Sequence, residues 1–117
     1  MRAAADIQGY HAHVYFEPGQ RDEAARLRAA VEQVFDVRMG RWRDEPVGPH
    51  PKPMYQIAFG LAEFNRLVPF LMLNRGALDI LVHPETGNDY ADHSAYAMWL
   101  GRSLPLRLEV FEQDAAG

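Results

Sequence analysis

The seven residues Tyr10-His11-Ala12-His13-Val14-Tyr15-Phe16 decide how the rest of the chain is read. Aromatic and β-branched side chains dominate them and Glu17-Pro18-Gly19 follows, so they read as a strand that runs into a turn. Successive side chains on a strand leave opposite faces. His11 and His13 therefore share one face, and Ala12 and Val14 take the other.

Downstream, Ala24, Leu27, Val31, Val34 and Phe35 recur at helical spacing, and Asp22 and Glu23 suit a helix N-terminus, so a helix is expected over 22–35. Val37 to Trp42 is a short strand candidate. The stretch from Arg43 to Pro53 holds four prolines and Gly48, which forbids regular structure and makes a stiff loop. Met54 to Phe59 reads as a strand and Leu61 to Leu73 as a helix that Pro69 must kink or restart, with Asn74-Arg75-Gly76 as its stop. Leu78 to Val82 is a buried strand, and Tyr90 to Leu100 is expected to be a short third helix closed by Gly101. Leu104, Leu106, Leu108 and Val110 alternate with other residues at the period of a half-buried strand.

The order is β-α-β-β-α-β with an added C-terminal helix and strand. It implies an α+β fold of the ferredoxin-like kind, an antiparallel sheet with helices on one face. The 117 residues suit one domain over 1–117.

Composition narrows the function. Hydrophobic residues at 48% and charged residues at 24% are ordinary for a globular chain, which rules against disorder. A net charge of -4 with scattered basic residues speaks against nucleic acid as a partner. The absence of cysteine removes disulfides, thiolate metal sites and cysteine nucleophiles. No apolar run approaches the roughly 20 residues of a membrane span and the N-terminus lacks a signal-peptide core, so a cytoplasmic location without membrane contact is expected. Walker, GxGxxG, GxSxG and HExxH motifs are missing, which withdraws the usual warrant for nucleotide binding and serine hydrolysis.

The five histidines carry the chemistry. In the expected topology the strand ending at Val82 runs antiparallel to the first, which brings His83 toward His11. Taken alone, an HxH pair is more often a polar sheet face; three converging imidazoles suit zinc, iron or copper. Glu85 offers a carboxylate for a two-histidine, one-carboxylate set, against the plainer reading of a solvated turn residue. His50, in Gly48-Pro49-His50-Pro51, fits a ligand, a general base or a hydrogen-bond anchor. His93 follows Asp89-Tyr90-Ala91-Asp92 in a helix-capping segment, or handles protons above the metal.

Together, Tyr10 to Phe16, Gly48-Pro49-His50-Pro51, Leu67-Val68-Pro69-Phe70-Leu71-Met72-Leu73-Asn74 and His83-Pro84-Glu85-Thr86-Gly87 leading to Asp89-Tyr90-Ala91-Asp92-His93 resemble the DOPA 4,5-dioxygenase family, in order from about Ile7 to Phe111. The resemblance implies ring-opening of a catechol such as DOPA with non-haem iron(II) and dioxygen, an extradiol dioxygenase. Joined to the geometry above, it assigns His11, His13 and His83 to the metal, His50 and His93 to proton transfer, and Tyr15, Tyr90 and Arg102 to orienting the substrate. Zinc in the same site would instead suit a hydrolase or isomerase, and metal identity separates the two. A non-catalytic ligand-binding module would show no tight metal and no turnover. Under every reading the exposed edge of a small sheet favours a homodimer.

Overall fold

The computed structural model describes residues 1–111. Five strands, β1 (Tyr10–Tyr15), β2 (Arg38–Met39), β3 (Met54–Phe59), β4 (Asp79–Pro84) and β5 (Met98–Leu100), form one sheet in the order β2-β3-β1-β4-β5. Every neighbouring pair is antiparallel. The helices α1 (Arg21–Val34) and α2 (Phe64–Asn74) are the crossovers of two β-α-β halves, which is the expected ferredoxin-like arrangement.

Period decides where the core lies. Ala12 and Val14 of β1, Tyr55 and Ile57 of β3, and Ile80 and Val82 of β4 are buried against Ala24, Leu27 and Val31 of α1 and Leu67, Val68 and Leu71 of α2. Each large aliphatic side chain so buried contributes roughly 1.5–3 kcal/mol. The Tyr55 hydroxyl, carried into this core, donates to the Ala24 carbonyl at 2.8 Å and leaves no polar debt. Pro69 does not restart α2, which runs through it as one helix. The proline lies on the exposed side, where water can serve the carbonyl that its ring leaves without an amide partner.

Two C-terminal expectations are corrected. Only Asp89–Asp92 of the expected third helix is helical (α3), and Met98–Leu100 is a strand because the outer edge of β4 offers unpaired backbone groups to it. Leu104 to Phe111 is not a strand. Leu104 and Leu106 do point inward with period 2, yet they pack across the second face of the sheet, on a cluster of Tyr15, Met54 and Leu81, and a 3-10 turn follows at Leu108–Phe111. Pro105 has no amide to pair and β5 already occupies the β4 edge, so the alternation serves packing instead of a ladder. Among the described residues no helix is long and apolar enough to cross a membrane.

Candidate metal centre

The second face of the sheet is read off the register. Arg38, Ala58, His11 and His83 stand in one row across β2, β3, β1 and β4. Gln56, His13, Leu81 and Trp99 form the next row, and Met54, Tyr15 and Asp79 the one after, with Arg43 bridged to Met54. The expected pairing of His11 with His83 is thus a direct cross-strand pair.

Ligand atoms of His11, His13 and His83 lie within 4.8 Å of one another. His13 Nε2 and His83 Nε2 are 3.0 Å apart. Two nitrogens bound to one ion at about 2.1 Å and at right angles would be about 3.0 Å apart, so the spacing fits a shared metal. Nδ1 of two of these rings has a partner. His83 Nδ1 donates to the Pro84 carbonyl at 2.9 Å, and His11 Nδ1 meets Glu85 Oε1 at 2.9 Å. Such contacts fix the tautomer and turn Nε2 toward an ion. Glu85 thus faces His11, while its carboxylate is 3.8 Å from His83 Nδ1, beyond hydrogen-bond reach. His13 Nδ1 is buried without a partner among the described residues, as befits a ring placed for its other nitrogen.

Burial keeps these rings neutral. It pushes His13 well below the ordinary imidazole range, with His50 and His83 adding to the effect. It lowers His83 to about 3, helped by His93, and lowers His11 with help from the same ring. Neutral imidazoles offer lone pairs at neutral pH, which is what metal binding demands.

His50, buried by its proline-rich loop, places Nδ1 2.6 Å from the Tyr15 hydroxyl and its ring 4.2 Å from that of His13. Burial, with His93 second, lowers His50 to about 4, and burial raises the Tyr15 phenol so that it stays protonated. His93 donates from Nδ1 to the Asp89 carbonyl at 2.8 Å, and its ring lies 4.0 Å from that of His83 and 4.7 Å from Phe111. His13, His50 and His93 form a second trio with ligand atoms within 4.8 Å, so His13 belongs to both sets.

The substrate-orienting expectations divide. Tyr15 is in the cluster. Tyr90 is half-buried in α3, and its ring takes no part in the aromatic contacts that join the histidines. Arg102 lies apart from the cluster: its amide donates to Asp79 Oδ1 at 2.8 Å and its guanidinium pairs with the same carboxylate, at the opposite end of β4 from His83.

Sequence reasoning missed Arg38, Arg41, Arg43 and Gln56, which border the cluster from the β2 side. Two openings flank the histidines. One, of about 540 Å³, is bounded by His11, Asp36, Arg38 and Glu85; the other, of about 250 Å³, by His13, His50, Arg41, Arg43 and Gln56. A larger cavity of about 710 Å³ is bounded mainly by apolar groups such as Tyr10, Phe64 and Met98 and meets only His83 among the histidines. The imidazoles converge beside the two smaller openings, not at this cavity.

Comparison with known proteins agrees with this geometry. The model of the Dopa 4,5-dioxygenase family matches residues 10–110. A DOPA 4,5-dioxygenase of Amanita muscaria is 35% identical over 113 residues, covering 89% of this chain and 50% of that protein. An uncharacterized 21.2 kDa protein of Botryotinia fuckeliana is 34% identical over 122 residues, covering 97% of this chain and 66% of that protein. The chain thus spans between half and two thirds of the length of these curated relatives. A crystal structure described as a "putative dioxygenase" of Nostoc punctiforme superposes with a TM-score of 0.95 at 52% identity, covering 97% of this chain and 98% of that one.

Proposed function

This chain belongs to the Dopa 4,5-dioxygenase family, and on that premise we propose that it is an iron(II)-dependent extradiol dioxygenase that opens the ring of a catechol such as DOPA. The observation that carries the reading is the convergence of His11, His13 and His83, with Nδ1 of His83 hydrogen-bonded to the Pro84 carbonyl and Nδ1 of His11 2.9 Å from Glu85. His11, His13 and His83 would hold the iron, which would supply the redox chemistry that the side chains lack.

The chain's own part is to hold and move protons. His50, neutral through burial, accepts a catechol proton on the ring nitrogen that does not face Tyr15. When His50 Nδ1–H donates to the Tyr15 oxygen, the other nitrogen is a base. Having taken the catechol proton there, His50 can return that same proton in the second half of the ring opening, and the phenol stays neutral throughout. His93, fixed by the Asp89 carbonyl, is the second proton carrier. Thr86 donates from its amide and hydroxyl to buried Asp92, at 3.0 and 2.6 Å, which holds the loop between His83 and His93 in shape.

The test is anaerobic reconstitution with iron(II), and with zinc in parallel, followed by oxygen and a panel of catechols under visible absorption. A yellow ring-cleavage product with iron alone supports the reading; turnover with zinc in the absence of oxygen overturns it. As part of the same proposal the chain pairs as a homodimer, since the outer edge of a two-residue strand such as β2 is open to a second copy; sedimentation at the monomer mass overturns that.

A further inference from the structure

The small opening beside His13 and His50 has a charge pattern that the family relationship does not supply. We propose that Arg41 and Arg43 make this opening selective for catechols whose side chain ends in an anion and carries no ammonium group, so that an acid is preferred over the amino acid. The choice of substrate class rests on the dioxygenase reading; the anion selectivity does not.

Size sets the first limit. An apolar cavity of about 150 Å³ can hold benzene, so the 250 Å³ here fits one ring with a short substituent. Buried His13 and His50 bound it on one side and exposed Arg41 and Arg43 on the other. A ring with its hydroxyls toward the imidazoles would place a para substituent near the guanidinium groups. Gly40 also borders the opening and lies close against β3, where a Cβ would meet Gln56 Cβ at 3.3 Å.

Charge sets the second. Among the described residues Arg41 and Arg43 have no carboxylate within 4.0 Å, as is also true of Arg26, Arg38, Arg75 and Arg107 but not of Arg2, Arg21, Arg28, Arg66 and Arg102, and they are the two arginines that border this opening. Two unspent guanidinium groups can grip a carboxylate with charge-assisted, bidentate hydrogen bonds. Among the described residues no Asp or Glu bounds this opening, so an ammonium group there would meet only positive charge from the residues that line it. The other opening differs, because Asp36 and Glu85 flank Arg38 there and could balance a zwitterion.

The experiment uses ring compounds without catechol hydroxyls, so it needs no turnover. On the iron-loaded protein, 3-phenylpropionate, 3-phenylpropanol and phenylalanine are titrated by ligand-observed NMR, with wild type, the Arg41→Gln/Arg43→Gln double variant and Arg38→Gln. The expected result is at least tenfold tighter binding of the acid than of the alcohol or the amino acid, weakened by added salt, lost in the double variant and kept in Arg38→Gln. Failure of the acid to bind, equal binding of all three, or a preference that survives the double variant overturns the proposal. Loss in Arg38→Gln does so too, because it would move the acid to the other opening. Turnover of dihydroxyphenylpropionate, 4-methylcatechol and DOPA is followed separately. Acid-selective binding without any ring cleavage sinks the dioxygenase reading and leaves the anion site standing, whereas equal kcat/KM on all three catechols leaves the enzyme and sinks the selectivity.

Discussion

Val14 and His13 are neighbours in one strand, both buried, yet their burials differ in kind. Val14 belongs to the helix face, where apolar side chains of β1, β3 and β4 meet apolar stripes of α1 and α2. His13 belongs to the other face, whose cover is the irregular chain from Ala97 to Phe111. Removing Val14 from water is favourable by itself; removing an imidazole is favourable only if it stays neutral and its nitrogens find partners. One set of strands therefore carries stability on one surface and chemistry on the other, and alternate positions along them should separate the two.

The largest effect should come from the ligand face. His13→Ala and His83→Ala are each expected to abolish iron content and turnover while circular dichroism still reports a folded chain; iron retained at wild-type level in either variant would break the assignment. His50→Ala and His93→Ala should come next, lowering turnover by about 10²–10⁴-fold with iron kept. Iron lost from His50→Ala would instead make the second trio of His13, His50 and His93 the true ligand set.

The helix face should behave in the opposite way. Leu71→Ala, at a fully buried site of α2, is expected to cost about 2–5 kcal/mol in urea denaturation while the surviving folded protein still binds iron. A variant that loses metal without losing stability would show that the two faces are not separable.

Acid should expose the cost of the histidine face in the metal-free chain. Unfolded histidines take up protons near pH 6.5, whereas folded His50 and His83 hold them off until about 4 and about 3. The unfolded state binds more protons in between, so stability is full above about 6.5 and falls as pH drops, by about 1.4 kcal/mol per unit and per group. Denaturation curves at stepped pH would show this slope, and a flat profile between pH 6.5 and 4 would contradict the burial of those rings. The smallest effect is expected from Glu85→Ala, which should weaken metal binding by about 10–100-fold through the freed His11 ring. An unchanged affinity by competition with a chelator would reduce Glu85 to a surface contact.

Much of this was legible in the sequence because short-range periods report directly on faces. The HxH spacing put His11 and His13 on one surface, and the helical spacing of Ala24, Leu27 and Val31 named the buried stripe of α1. The element order then implied antiparallel strands, which is why His83 could be placed beside His11. The pairing of Arg102 with Asp79 was not legible, because no local pattern joins residues on different segments of the chain. The role of Glu85 was open for a similar reason, since a carboxylate two residues from a ligand can bind an ion or a ring and only its 2.9 Å approach to His11 Nδ1 distinguishes the two.

By itself the sequence determined the period of each strand and helix, the stiffness of the loop around His50 and the supply of imidazoles without thiolates, because these follow from local geometry and composition. Tertiary structure alone decided which rows form across the sheet, that Leu104 and Leu106 cover a face instead of extending an edge, and that Arg41 and Arg43 border the histidines. Those outcomes depend on register and on competition for the β4 edge between β5 and the chain that follows it. Competition between segments distant in sequence leaves no period to read.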